Sequence, residues 1–141
     1  MTETYIRLRC DKVPDTVKVD SEHLLDGFYR ALGCECIETV QLAGGYLMVI
    51  DESGKLEQKA FNPVASLLYN QEPFDYIAGD ALLARVGSRN GETDIVPLKD
   101  SETDMTLHSA RIIWKRTQRR AGEEINKEKG EQANGNHSDG L

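Results

Sequence analysis

The chain has 141 residues, 39% of them hydrophobic, enough for one compact core and short for two. It carries 17 Lys and Arg against 24 Asp and Glu, a formal net charge of -7, and an acidic body is a poor general binder of polyanions, which draw on clustered cations. No apolar run approaches the roughly 18 to 20 residues that cross a bilayer, the opening MTETYIRLRCDK lacks a secretory leader pattern, and three cysteines do not make a disulfide scaffold, so the expectation is a cytoplasmic protein with free thiols and no membrane contact.

In chain order, Tyr5 to Cys10 is rich in strand formers and Thr16 to Val19 alternates, with Pro14 and Asp15 between them, so the chain is expected to open on a hairpin. Asp20 or Ser21 can cap a helix over 21–32. Leu24, Phe28 and Leu32, with Leu25 beside them, form its apolar stripe, and Gly33 stops it. Gly27 costs that helix about 1 kcal/mol relative to Ala, so burial has to hold it.

Cys34 to Leu42 has period two, with Cys34, Cys36, Val40 and Leu42 on one face and Ile37, Thr39 and Gln41 on the other. After a turn at Ala43-Gly44-Gly45, Tyr46 to Ile50 is continuously apolar, which predicts a strand buried on both faces at the centre of the sheet. Asp51-Glu52-Ser53-Gly54 is read as a turn with Gly54 at positive φ, and Lys55 to Phe61 as the returning strand. Asn62-Pro63 then opens a short helix to Tyr69, because Asn caps and Pro suits the first helical position. Pro73 ends that segment. Phe74 to Ile77 and Ala81 to Val86 read as strand around a bend at Gly79, and Asn90-Gly91 turns the chain into an edge strand from Thr93, limited by Pro97.

A second long helix is expected from Asp100-Ser101 to 121, with Asp104 at capping-box spacing from Ser101 and Ala110, Ile113 and Trp114 docking on the domain. Residues 122–141 offer little apolar surface and read as a disordered tail. The charge is uneven: residues 1–100 hold 10 cations against 17 acids, and residues 101–120 hold 5 against 2. Those five are Arg111, Lys115, Arg116, Arg119 and Arg120. They are candidate nucleic-acid contacts. The simpler reading places them near the helix C-terminus, where cations complement the dipole, so nucleic acid is the least favoured partner.

Other chemistry is thinly represented. Cys34, Cys36 and His23 fall short of the four ligands of a tetrahedral zinc site, so no metal and no cofactor is expected. A cysteine nucleophile at Cys10, Cys34 or Cys36 needs a base within reach, and only His23, His108 and His137 are available. Gly44-Gly45 and Gly54-Lys55 lack phosphate-loop spacing and serve turns. No catalytic residue is nominated.

Four short motifs in order, Gly44-Gly45-Tyr46-Leu47, Asp51 to Leu56 (DESGKL), Asn62-Pro63-Val64-Ala65 and Asp75 to Leu82 (DYIAGDAL), together resemble an uncharacterised family of small phage, plasmid and other mobile-element proteins of bacteria. The resemblance covers roughly the first ninety residues. It implies an accessory protein of the sort found among antirestriction and counter-defence genes, and it brings no catalytic residues with it. The matching positions nominate a patch at one end of the sheet comprising Asp51, Lys55, Lys59, Asn62, Asp75, Asp80 and Arg85.

The expected fold is therefore α+β: a mainly antiparallel sheet of four to six strands over residues 1–99, one packed helix, a short helix after Asn62-Pro63 and a C-terminal helix. The expected function is a non-enzymatic accessory binding protein that inhibits a host protein such as a defence factor, its acidic surface steering it to a basic partner. Two alternatives stand beside it. One is a binder that sequesters a small molecule such as a nucleotide signal, through Lys55, Lys59, Asn62 and Arg85; the other is nucleic-acid binding through the basic helix. Homo-oligomerisation is left open.

Overall fold

A computed structural model describes residues 1–70 and 75–133. Six strands form one antiparallel sheet: β1 (Thr2–Leu8), β2 (Asp15–Asp20), β3 (Ile37–Gln41), β4 (Tyr46–Asp51), β5 (Ala81–Arg89) and β6 (Glu92–Val96). The strand order is β2-β1-β5-β4-β3, with β6 also paired to β5. Three α-helices cover it: α1 (Leu24–Leu32), α2 (Pro63–Tyr69) and α3 (Asp100–Ala133).

Period-two alternation sorts the strand side chains between two cores. Tyr5, Val19, Leu47, Val49, Leu82 and Ala84 pack with Phe28 and Leu32 of α1. Tyr5 and Phe28 meet edge to face, their ring centroids 5.2 Å apart, a geometry that adds about 0.5–1.5 kcal/mol to simple burial. On the opposite face Ile6, Leu8, Met48, Ile50, Ala81 and Leu83 pack with Val64 and Ala65 of α2 and Ala110 of α3. The result is a sheet between two helical layers, the α+β class the sequence predicts.

The opening hairpin is as expected, with Tyr5 opposite Val17 and Arg7 opposite Asp15. Of the run Tyr46 to Ile50, Leu47 to Ile50 are buried as predicted and Tyr46 is half-buried, but β5 and not β4 is the middle strand. β5 is the longest at nine residues, and its Ala81 to Ala84 are all buried, so it can serve β1 and β4 while its far half pairs β6. Asn90 and Gly91 both take positive φ, 50° and 82°, the hairpin turn read from the sequence.

Five local expectations are corrected. Residues 55–58 continue the turn that follows Asp51, and of the segment Lys55 to Phe61 only Phe61 makes a bridge, to Ala78. Backbone bonds such as Glu57 N–H to Ser53 C=O and Lys59 N–H to Gly54 C=O close that turn on itself and leave no strand edge to pair. Gly54 is needed for close approach, not positive φ: a Cβ there would lie 2.5 Å from the Ala78 carbonyl oxygen. Asp75 to Ile77 are not strand, and Phe74 and Pro73 lie outside the described residues. Leu25 is 51% exposed, because it lies about 100° round the helix from Leu24 while Leu24, Phe28 and Leu32 keep the core-facing line.

The fifth correction concerns α3. It runs to Ala133, twelve residues past the expected end at 121. The added stretch GEEINKEKGEQA is dominated by Glu, Lys, Gln and Ala, all strong helix formers, which propagate a helix that packing has already nucleated. The expected tail beyond it, from 134, lies outside the described residues. Ser101 and Asp104 both sit inside the helix, which already starts at Asp100, so neither begins it.

Candidate functional site

Of the seven nominated residues, Asp51, Lys55 and Asp75 border one small cavity and Lys59 pairs with Asp51, whereas Asn62, Asp80 and Arg85 lie outside that lining. Asn62 is fully buried. Its amide Nδ2 donates to the Leu8 and Gly79 carbonyls at 2.9 and 3.0 Å, and its Oδ1 accepts from the Ala65 N–H at 3.1 Å. Both donor hydrogens and the cap acceptor are spent, so Asn62 binds α2 to β1 and to the bend at Gly79 and faces no ligand.

Asp51, also buried, accepts from the Ser53 N–H at 2.9 Å. Its Oδ2 lies 2.5 Å from Lys59 Nζ, matched by charge and not by a well-directed hydrogen bond. Burial works against the Lys59 ammonium, but Asp51 outweighs it and holds the group above its ordinary value. Lys59 also donates to the Gly33 carbonyl at 2.9 Å, which fastens the end of α1 to the turn. Cys34 lies in the same corner, and burial together with the Asp51 charge raises its thiol. That is the opposite of nucleophile activation.

Lys55 pairs with Asp75 and sits 4.7 Å over the Tyr76 ring. The Lys55 ammonium holds the Asp75 carboxyl below the usual range. Asp80 accepts from the Cys10 N–H at 3.0 Å and lies 3.6 Å from Arg9, which also reaches Asp15. Burial and the Asp80 charge push the Cys10 thiol up to about 11. Arg85 stands apart, opposite Tyr46 in the sheet; there the Tyr46 hydroxyl donates to Glu102 and ties α3 to β4. The cavity bordered by Asp51, Lys55, Tyr69 and Asp75 has a volume of about 70 Å³, against the roughly 300 Å³ at which pockets begin to hold drug-sized molecules.

Two polar clusters escaped the sequence reading. Arg7 grips Asp15 through two bonds of 2.9 and 2.7 Å and also donates to the Ala31 carbonyl. Arg7 and Asp15 fall in cross-strand register, a signal available only once the hairpin is aligned. Arg89 clamps Glu3 in the same way, assisted by the Tyr5 hydroxyl, across 86 residues of chain. Nothing local in the sequence announces that pair.

The basic stretch is differently placed. Leu107, Ala110, Ile113 and Trp114 pack against the sheet, and Thr103, Thr106 and Thr117 flank them half-buried, a docking line at steps of three and four. Arg111, Lys115, Arg116, Arg119 and Arg120 lie off that line and all are exposed. Arg111 donates to the Pro14 carbonyl at 3.0 Å. Among the described residues none of the five makes an ion pair. Helix continues for thirteen residues beyond Arg120, and a helix dipole acts only within its last turn. The dipole account of these cations therefore fails.

No helix among the described residues is long and apolar enough to cross a membrane, and among those residues no group of three or more His, Cys, Asp or Glu is placed to hold a metal ion. A family model described as a domain of unknown function (DUF3846) matches residues 3–108. A search of curated proteins finds no match. Among solved structures, the chain resembles part of the crystal structure of the small RNA methyltransferase HEN1, with a TM-score of 0.51 and 22% identity over 71% of this chain. This chain spans only 15% of that structure's length, and the likeness is one of fold. The family match ends before Arg111, so the exposed cations of α3 lie beyond it.

Proposed function

We propose that this chain, which belongs to the DUF3846 family of domains of unknown function, is a non-enzymatic accessory binding protein in which the sheet body is a platform and α3 is the contact element. The phage and plasmid setting suggested by its motifs fits such a protein, whose task is to occupy and so inhibit a host component. The observation that carries this reading is the outer face of α3: five exposed cations in ten residues, with no Asp or Glu between 105 and 122. By contrast Lys55 and Lys59, the body lysines first nominated, are neutralised by Asp75 and Asp51. The charge of the contact element reverses the electrostatic expectation, since such a face steers toward an acidic partner.

The test is site-specific photo-crosslinking in cells producing the full chain, with the reactive group at Ile112 or Arg119 on α3 and at Lys18 or Glu92 on the body. Adducts from the α3 positions, lost when the cations are replaced by Gln, are expected. Adducts from the body positions alone would overturn the reading.

A further inference from the structure

We infer that the outer face of α3 binds the phosphate backbone of duplex nucleic acid without reading its sequence; this deepens the proposed function and rests on its assignment of α3 as the contact element. Arg111, Lys115 and Arg116 have no Asp or Glu within four residues on either side, so intrahelical ion pairing, the usual use of exposed helix cations, is closed to them. Arg111, Lys115 and Arg119 follow at steps of four, as do Arg116 and Arg120, a spacing at which like charges repel by a few tenths of a kcal/mol per pair. A run of mutual repulsion in a molecule of net charge -7 is relieved by an external anion.

From Lys115 to Gly122 every described side chain is charged, polar or small, with Lys115, Arg116, Gln118, Arg119 and Arg120 exposed. A protein interface needs an apolar or aromatic centre and is depleted in Lys. Single strands want exposed aromatic platforms for stacking, whereas Trp114 is turned in against the sheet. Five cations around one exposed aliphatic side chain, Ile112 at 40%, with no exposed aromatic among residues 111–122, fit phosphates, which take charge and hydrogen bonds and carry no sequence information.

Residues 111–120 span about 14 Å at 1.5 Å per residue, and duplex phosphates recur about every 3.4 Å along each strand. About four phosphates of one strand thus lie opposite the stretch, facing the exposed Arg111, Lys115, Arg116, Arg119 and Arg120. Glu123 and Glu124 stand four residues beyond Arg119 and Arg120 in sequence, so Lys115 and Arg116 are the cations with least competition.

The experiment measures binding of the full chain to a 20-base-pair DNA duplex, the matching RNA duplex, the single strand and polyglutamate, from about 25 to 200 mM salt. Expected is duplex binding indifferent to sequence, with log K falling against log salt at a slope of about -3 to -4. The triple variant Lys115→Gln, Arg116→Gln, Arg119→Gln should lose at least tenfold in affinity at low salt and flatten the slope by about 2 to 3. Glu123→Gln with Glu124→Gln should tighten binding, an effect that a merely structural role would not give. Unchanged melting temperature of the triple variant shows that the fold survives. Absence of duplex binding, a slope unaltered in the triple variant, or polyglutamate binding tighter than duplex would each overturn the inference. The α3 crosslinks to a protein would in that case still support the broader reading.

Discussion

Asn62 shows how a residue type with two plausible roles is decided by accounting for its hydrogen bonds. Its side chain satisfies two carbonyls and one helix N–H in a site closed to water. Asn62→Ala leaves all three unpaired, and each buried orphan costs about 1–3 kcal/mol. We expect a loss of roughly 3 kcal/mol or more in urea unfolding, with Asn62→Asp also destabilising because it keeps the cap acceptor and loses both donors. A loss under 1 kcal/mol would show that the bend at Gly79 does not need this amide. Glu3 gives a pH-linked case. The Arg89 guanidinium holds its carboxyl below its ordinary value of 4.5. Since the folded value is the lower one, the pair stabilises fully above about pH 4.5 and this contribution is lost as pH falls through the folded value. Wild type should therefore melt above Glu3→Gln at pH 7, with the gap closing toward pH 3. A gap that held constant on acidification would mean that the carboxylate charge is not what binds β1 to β5.

Gly27 in α1 illustrates what an element-level reading can and cannot reach. Helix propensity marks it as a weak point, yet a Cβ there would lie 2.3 Å from Val19 Cγ1, so the glycine is what lets α1 lie directly on β2. Gly27→Ala gains about 1 kcal/mol in propensity and incurs about 1–3 kcal/mol of overpacking. The expected net change is destabilising, and Val19→Ala should cost less in the Gly27→Ala background than alone; additive effects in that double-mutant cycle would exclude the clash. The same division runs through the chain. Periodicity and caps made β1, β2, α1, β4, α2, the β5–β6 hairpin and the docked part of α3 legible, because those signals are local. The segment from Lys55 to Phe61 misled because its composition suits a returning strand, while its backbone bonds to Ser53 and Gly54 make a compact turn that only the approach of Ala78 explains. For the candidate site, the motif positions were legible and their meaning was not. Lys59 and Asn62 serve partners far away in sequence, at Gly33, Leu8 and Gly79, and no spacing rule encodes those.

At the scale of the whole molecule the body and α3 divide the work. The body is acidic and closes its own ion pairs, whereas α3 contributes one turn-by-turn line of apolar contacts and then continues as helix beyond Thr117, with 118–122 exposed on every side. A helix of 34 residues is about 51 Å long, more than the docked segment can use. Stability should therefore depend sharply on where α3 is cut. Residues 118–122 are already exposed on every side, so removal of residues 123–141 is expected to change stability by no more than a surface substitution, about 0.5 kcal/mol. Removal from 111 onward strips Ile113 and Trp114 from the cluster that holds Leu8 and Met48, and losing two large apolar contacts should cost at least the roughly 2–5 kcal/mol of a single large-to-small core change. Charge substitutions, not that deeper cut, are thus the sound way to separate binding from folding. If the shorter deletion melted many degrees below the full chain, residues beyond 122 would have to lean on the body, and α3 would be a brace before it is a contact element.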